Sequence, residues 1–115
     1  MSKKVLLRVT GNTRLQGAEF LALCTLANSA DDDGLYWPTS WKVADARVRQ
    51  DDDNIVHSLE KVGEVVRIGN GRFLRFWVAI AFTPREMKEI AIRRLHMTGE
   101  DAIAFVSEIV YRQIN

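Results

Sequence analysis

Nine residues in the middle of the chain carry its strongest chemical signal. Lys42, Arg47, Arg49, Arg67, Arg72 and Arg75 can neutralise phosphates, and Asn54, His57 and Ser58 add donors and acceptors among them. Arginine and lysine bridge phosphate oxygens, and an arginine at the tip of a β-ribbon can enter a minor groove. Of two acidic runs, Asp31-Asp32-Asp33 and Asp51-Asp52-Asp53, the second works against this chemistry. A carboxylate facing a phosphate repels it and removes the counterion release that supplies most affinity. Either run, with His57 or His96, could be imagined around a hard cation, but neither has the alternating ligand spacing of a calcium loop. Solvated turn and helix-start charge is the expected role, with no metal site. Cys24 stands among apolar residues and reads as a small core residue without the basic neighbour that an activated thiolate needs. His57 reads as a half-exposed helix residue, and His96 as a helix C-terminal one. There is no Gly-rich phosphate loop, nucleophile elbow or pair of catalytic carboxylates. A non-enzymatic protein without a cofactor is expected.

Composition sets the frame for these residues. The 115 residues carry 16 Lys+Arg against 15 Asp+Glu, a net charge of +1, and are 47% hydrophobic. That length suits one domain, residues 1–115, able to bury about two-thirds of its unfolded surface. No stretch approaches the roughly 20 apolar residues of a membrane span. The basic start Met1-Ser2-Lys3-Lys4 precedes an apolar run too short for a signal peptide. One cysteine excludes an internal disulfide framework and fits a reducing cytoplasm. Near-neutral charge withholds the simplest argument for nucleic-acid binding, a strongly basic whole.

The elements that must position these groups follow from local pattern. Lys3 to Thr10 alternates loosely and reads as a short strand or extended arm, broken at Gly11-Asn12. Thr13-Arg14-Leu15-Gln16 reads as a capping box opening a helix over residues 15–30. Apolar residues fall almost all round that helix, which predicts a hub of the core. Asp31-Asp32-Asp33-Gly34 should end it, with Gly34 left-handed, and Leu35-Tyr36-Trp37-Pro38 should be extended. A short helix from Trp41 to about Arg47 follows. Asp51-Asp52-Asp53 then suits the positive end of a third helix, whose stripe Ile55, Val56, Leu59 and Val62 ends at Gly63.

Two β-rich runs flank Asn70-Gly71, which predicts a hairpin with a tight primed turn. With Asn70 and Gly71 as the turn residues, Ile68 faces Phe73 and Arg67 faces Leu74. Two core faces are open, one carrying Val65, Leu74, Phe76 and Val78, the other Val66, Ile68, Phe73 and Trp77. The first is preferred, because Arg72 and Arg75 then point outward with Trp77. Thr83-Pro84-Arg85-Glu86 opens an amphipathic helix with Thr as cap, Pro at the first position and Glu completing the box. Thr98-Gly99-Glu100-Asp101 opens a last helix through Gln113.

Three helices followed by a two-stranded ribbon are the outline of an α+β winged helix-turn-helix, here with two additional C-terminal helices. Residues 13–82 would form its core and residues 83–115 the helical extension. From Leu26 to Thr39, the helix, the Asp-Asp-Gly turn and Tyr36-Trp37-Pro38-Thr39 resemble the helix-turn-helix domain of phage and plasmid replication proteins and related bacterial regulators. Val43-Ala44 resembles that family's second helix, and Leu59-Glu60-Lys61-Val62-Gly63-Glu64-Val65 the end of its third. The resemblance spans roughly Thr13 to Ile80. It departs in a Val43-to-Gly63 interval about two residues short and in Asp51, Asp52 and Asp53, where the family commonly places Ser, Thr and basic residues.

The resemblance implies a cytoplasmic, non-catalytic protein that binds double-stranded DNA in replication or transcription control, of phage or mobile-element type. Lys42, Arg47, Arg49, Arg67, Arg72 and Arg75 would hold phosphates, while Asn54, His57 and Ser58 approach a groove. Phe105, Ile109 and Val110 of the last helix are expected to join two copies, since palindromic DNA readers are commonly two-fold dimers. The alternative is a winged domain repurposed to bind a protein partner, motivated by the acidic start of helix three and the neutral overall charge.

Overall fold

The computed structural model describes residues 3–37, 55–69 and 74–114. The chain begins with a helix, α1, over Lys3–Asn12. This corrects the strand or extended arm expected there. Val5 and Val9 fit a period of two and an i, i+4 pair equally well, and tertiary packing breaks the tie. Both are fully buried, while Leu7, which alternation would place beside them, is 72% exposed. Gly11-Asn12 does not interrupt the helix. It ends where the Thr13 amide reaches the Val9 carbonyl at 2.9 Å.

The expected capping box at Thr13 is also absent. Helix α2 spans Gly17–Ser29, and its N-cap, Gln16, makes no side-chain cap bond. The Thr13 hydroxyl accepts instead from the Leu15 amide and donates to Glu64, 51 residues away. Nor is α2 the all-round hub that its apolar composition suggested. Leu23 and Ala27 are buried, but Leu21 on the opposite side is 66% exposed.

The acidic turn after α2 forms as expected. Asp31 Oδ1 accepts from the amides of Asp33 and Leu35, and Gly34 is left-handed with φ +84°. A side chain at Gly34 would be strained by that backbone, and its Cβ would lie 2.5 Å from the Phe82 ring. Strand β1, Leu35–Tyr36, follows. Residues 55–61 form helix α3, with Val56 and Leu59 buried, and Gly63 turns the chain at φ +73°. Gly63 also lets the last helix, α5 (Gly99–Ile114), approach, since an added Cβ would meet the Ile109 carbonyl oxygen at 2.9 Å.

Strands β2, Val66–Ile68, and β3, Arg75–Trp77, pair antiparallel. Strand β1 adds to the other edge of β3, giving a three-stranded antiparallel sheet in the order β1-β3-β2. The hairpin is therefore present with a shifted register. Arg67 faces Phe76 and Ile68 faces Arg75, two residues later on β3 than the Asn70-Gly71 turn predicted. Residues 70–73, which hold that turn, lie outside the described residues. A shift of two keeps every side chain on its expected face, because the strand period is two.

The preferred core face is right as far as it goes, with Val65, Phe76 and Val78 buried. Trp77, expected to point outward, is fully buried as well. β3 is the central strand, with both edges paired, and the face bearing Trp77 is covered by aromatic rings. The Trp77 ring lies between Phe82 and Phe105, at centroid distances of 6.2 and 5.8 Å, and its Nε1 donates to the Asp33 carbonyl at 2.9 Å.

A short 3-10 turn, Ala79–Ala81, leads into α4, Pro84–Arg94. Its capping box is the one anticipated: the Thr83 hydroxyl accepts from the Glu86 amide, and the Glu86 carboxylate accepts from the Thr83 amide. Thr98 likewise accepts from the Asp101 amide at the start of α5, Gly99–Ile114, which buries Ala102, Val106 and Ile109. No described helix is long and apolar enough to cross a membrane.

Candidate nucleic-acid interface

Of the nine residues expected to meet DNA, Lys42, Arg47, Arg49, Asn54 and Arg72 lie outside the described residues, as do Asp51, Asp52 and Asp53. The other four stand on α3 and the hairpin. His57 projects from α3 with its side chain 71% exposed, and Ser58 beside it is half-buried. His57 Nδ1 lies 3.7 Å from the Glu60 carboxylate. The other oxygen of Glu60 accepts from Arg67 Nε at 2.8 Å. The Arg67 guanidinium also lies over the Phe76 ring, 5.2 Å from its centroid. Glu60, one helical turn after His57, therefore draws α3 to β2 and neutralises one of the two described hairpin arginines.

Arg75 is placed differently. Side chains alternate along a strand, so Arg75 shares a sheet face with Trp77, Val66 and Ile68, whereas Arg67 shares the other with Phe76. Its guanidinium lies 5.6 Å from the centre of the Trp37 ring, just beyond β1. Among the described residues no carboxylate pairs with it. Arg67 and Arg75 thus occupy opposite faces of one ribbon, the first bound to a carboxylate and the second stacked on an indole.

The proposed dimer contacts are occupied within the chain. Phe105 stacks on Trp77, Ile109 is 3% exposed, and Val110 packs partly buried against the same core. The outward apolar residues of α5 are others: Ile103, Tyr111 and Ile114 are each more than half exposed. Between α3, β2 and α5 lies a cleft of about 250 Å³, with Phe105 and Ile109 among its apolar lining residues. Its polar lining is already paired, Arg67 with Glu60 and Arg112 with Glu108 at 2.7 Å.

The first aspartate run is not merely solvated charge. Arg94 Nη1 donates to Asp33 Oδ2 at 2.6 Å and its Nη2 to Asp31 Oδ2 at 3.0 Å, while Arg93 reaches both Asp33 oxygens at 2.9 and 3.2 Å. The hydrogen bond from Arg93, helped by Arg94, holds the Asp33 carboxyl below its ordinary pKa. At the opposite end of α4, Glu86 accepts twice from Arg8, at 2.8 and 2.9 Å. Its carboxyl is also held low, first by the Thr83 amide and then by Arg8. Burial pushes the Cys24 thiol up, away from the thiolate that nucleophilic chemistry requires. Among the described residues, no three His, Cys, Asp or Glu side chains gather to hold a metal ion.

Sequence reasoning missed Glu60, the Arg93–Arg94 clamp and the Arg8–Glu86 pair. The last two join residues 60 to 78 positions apart, and nothing local signals them. Glu60 and Arg67 are seven apart, but Gly63 reverses the chain between them, so helical spacing rules do not reach across. Compared with known proteins, the chain matches no family model, no curated protein and no solved structure.

Proposed function

We propose that this is a non-catalytic winged-helix protein that binds double-stranded DNA, acting in replication or transcription control and of phage or mobile-element type. The observation that carries the reading is the way β1 joins the hairpin. A helix, a strand, a helix and a hairpin follow in order, and β1 pairs with the second hairpin strand, β3. This sets α3 directly before a ribbon that carries Arg67 and Arg75. In such an arrangement α3 presents His57 and Ser58 toward a groove while the ribbon holds phosphates. Lys42, Arg47, Arg49, Asn54 and Arg72 complete the proposed contact set.

Fluorescence anisotropy on mixed-sequence blunt duplexes at low and moderate salt tests this. Binding should reach the range of about ten to a hundred micromolar at low salt and weaken as salt rises. No binding in that range would remove the reading. Replacing Arg72 and Arg75 together with Ala should abolish the binding.

A protein-interaction role is the second reading. Glu60 neutralises Arg67, and α5 turns Ile103, Tyr111 and Ile114 outward, which suits an apolar partner better than a phosphate backbone. A partner docked there would survive replacement of Arg72 and Arg75.

A further inference from the structure

We infer that the open end of the sheet face bearing Trp37 and Arg75 takes an unpaired base, so that the preferred nucleic acid is a duplex with a single-stranded extension. The inference rests on the DNA-binding reading and names the ligand class of the same interface.

This sheet face changes character along its length. At one end Trp77 is sealed between Phe82 and Phe105, with no exposure. Two residues toward the hairpin tip the cover from described residues thins. Arg75 and Ile68 are half-buried, and Trp37, opposite Arg75 in the β1–β3 register, keeps 41% of its surface open. The guanidinium over one face of the indole sets a fixed positive charge beside an aromatic plane. A base stacks on such a plane whatever its sequence, and the adjoining phosphate meets the cation. A base inside a duplex has both faces taken by its neighbours, so only an unpaired one can use the platform. The described part of the opposite sheet face offers no equivalent, because Phe76 there is buried and Arg67 is held by Glu60.

The test compares a blunt duplex with the same duplex carrying an unpaired extension of about 16 nucleotides. Anisotropy at low salt is read for the full chain and for Trp37→Leu, which keeps apolar bulk but removes the flat ring. The extension should tighten binding by about tenfold in the wild type, and Trp37→Leu should lose that gain while holding the blunt duplex as before. If Trp37→Leu lacks the wild-type circular dichroism spectrum, Arg75→Gln replaces it and should lose most of the gain. Equal binding of the two probes by the wild type, or a gain that survives substitution, overturns the inference and leaves the DNA-binding reading standing. Failure to bind either probe overturns both.

Discussion

At the turn between α2 and β1, Arg93 and Arg94 close on Asp31 and Asp33 at 2.6 to 3.2 Å. At the base of the hairpin, Arg75 lies over Trp37, with no described carboxylate paired to it. Both arrangements sit beside β3, and Trp77 connects them. Its Nε1 holds the Asp33 carbonyl, while its strand carries Arg75. The first set of arginines is spent internally, fastening the C-terminal end of α4 to the sheet. The second carries no described carboxylate. A count of positive charges treats these groups alike, although their neighbours give them opposite work.

Removing the shared post should have the largest effect. Trp77→Ala would empty the space between Phe82 and Phe105 and cost about 3–5 kcal/mol of stability, read by urea denaturation. A loss below about 1 kcal/mol would mean that the two regions do not depend on a common core. Next comes the clamp. Asp33→Asn keeps the side-chain shape but removes the charge that two arginines share, and should cost about 1–2 kcal/mol, since the site is partly solvated. Arg67→Gln, which breaks the pair that Glu60 makes with one arginine, should cost less than about 1 kcal/mol. Equal losses would erase the contrast between the regions.

Acid should weaken the clamp. Asp33 and Glu86 both have lowered folded-state pKa values, so they bind fewer protons in the folded chain than in the unfolded one. Their stabilisation is full above the unfolded carboxyl range of about 4 and is lost as pH falls through their folded values. Melting temperatures measured from neutral pH to about pH 3 should therefore drop, with a shallower slope in Asp33→Asn. An unchanged slope would show that the Asp33 pairs contribute nothing to acid sensitivity.

The smallest expected effect is a gain. Glu60→Gln releases Arg67, so its guanidinium can meet phosphate. Duplex affinity should rise about two- to threefold, and the dependence of log K on log salt should steepen by about one unit. An unchanged salt dependence would place Arg67 away from the nucleic acid, leaving Arg75 as the described hairpin contact.

Legibility in the sequence followed the range of each interaction. The capping box Thr83–Glu86, the left-handed Gly34 and the antiparallel pairing of residues 66–68 with 75–77 all rest on groups close in the chain, and all formed. Thr13 shows how such a signal fails. Its hydroxyl had a local partner in prospect, but Glu64 competed from across the fold. Register was less legible than pairing, since the hairpin strands remain in phase when shifted by two. The two described hairpin arginines differ in the same way. Arg75 was expected to point outward and its guanidinium lies over the exposed Trp37, whereas the Glu60 partner of Arg67 gave no sign.

Periodicity, caps and turn residues sufficed for the class of the protein, α+β with a hairpin between helices, because those preferences act over one or two turns of chain. They could not tell whether Val5 and Val9 belong to a strand or a helix, which face of β3 is buried, or which arginines are consumed by carboxylates. Those outcomes depend on burial and charge pairing between residues as far apart as Arg8 and Glu86, and such energies exist only once the chain has brought the two together.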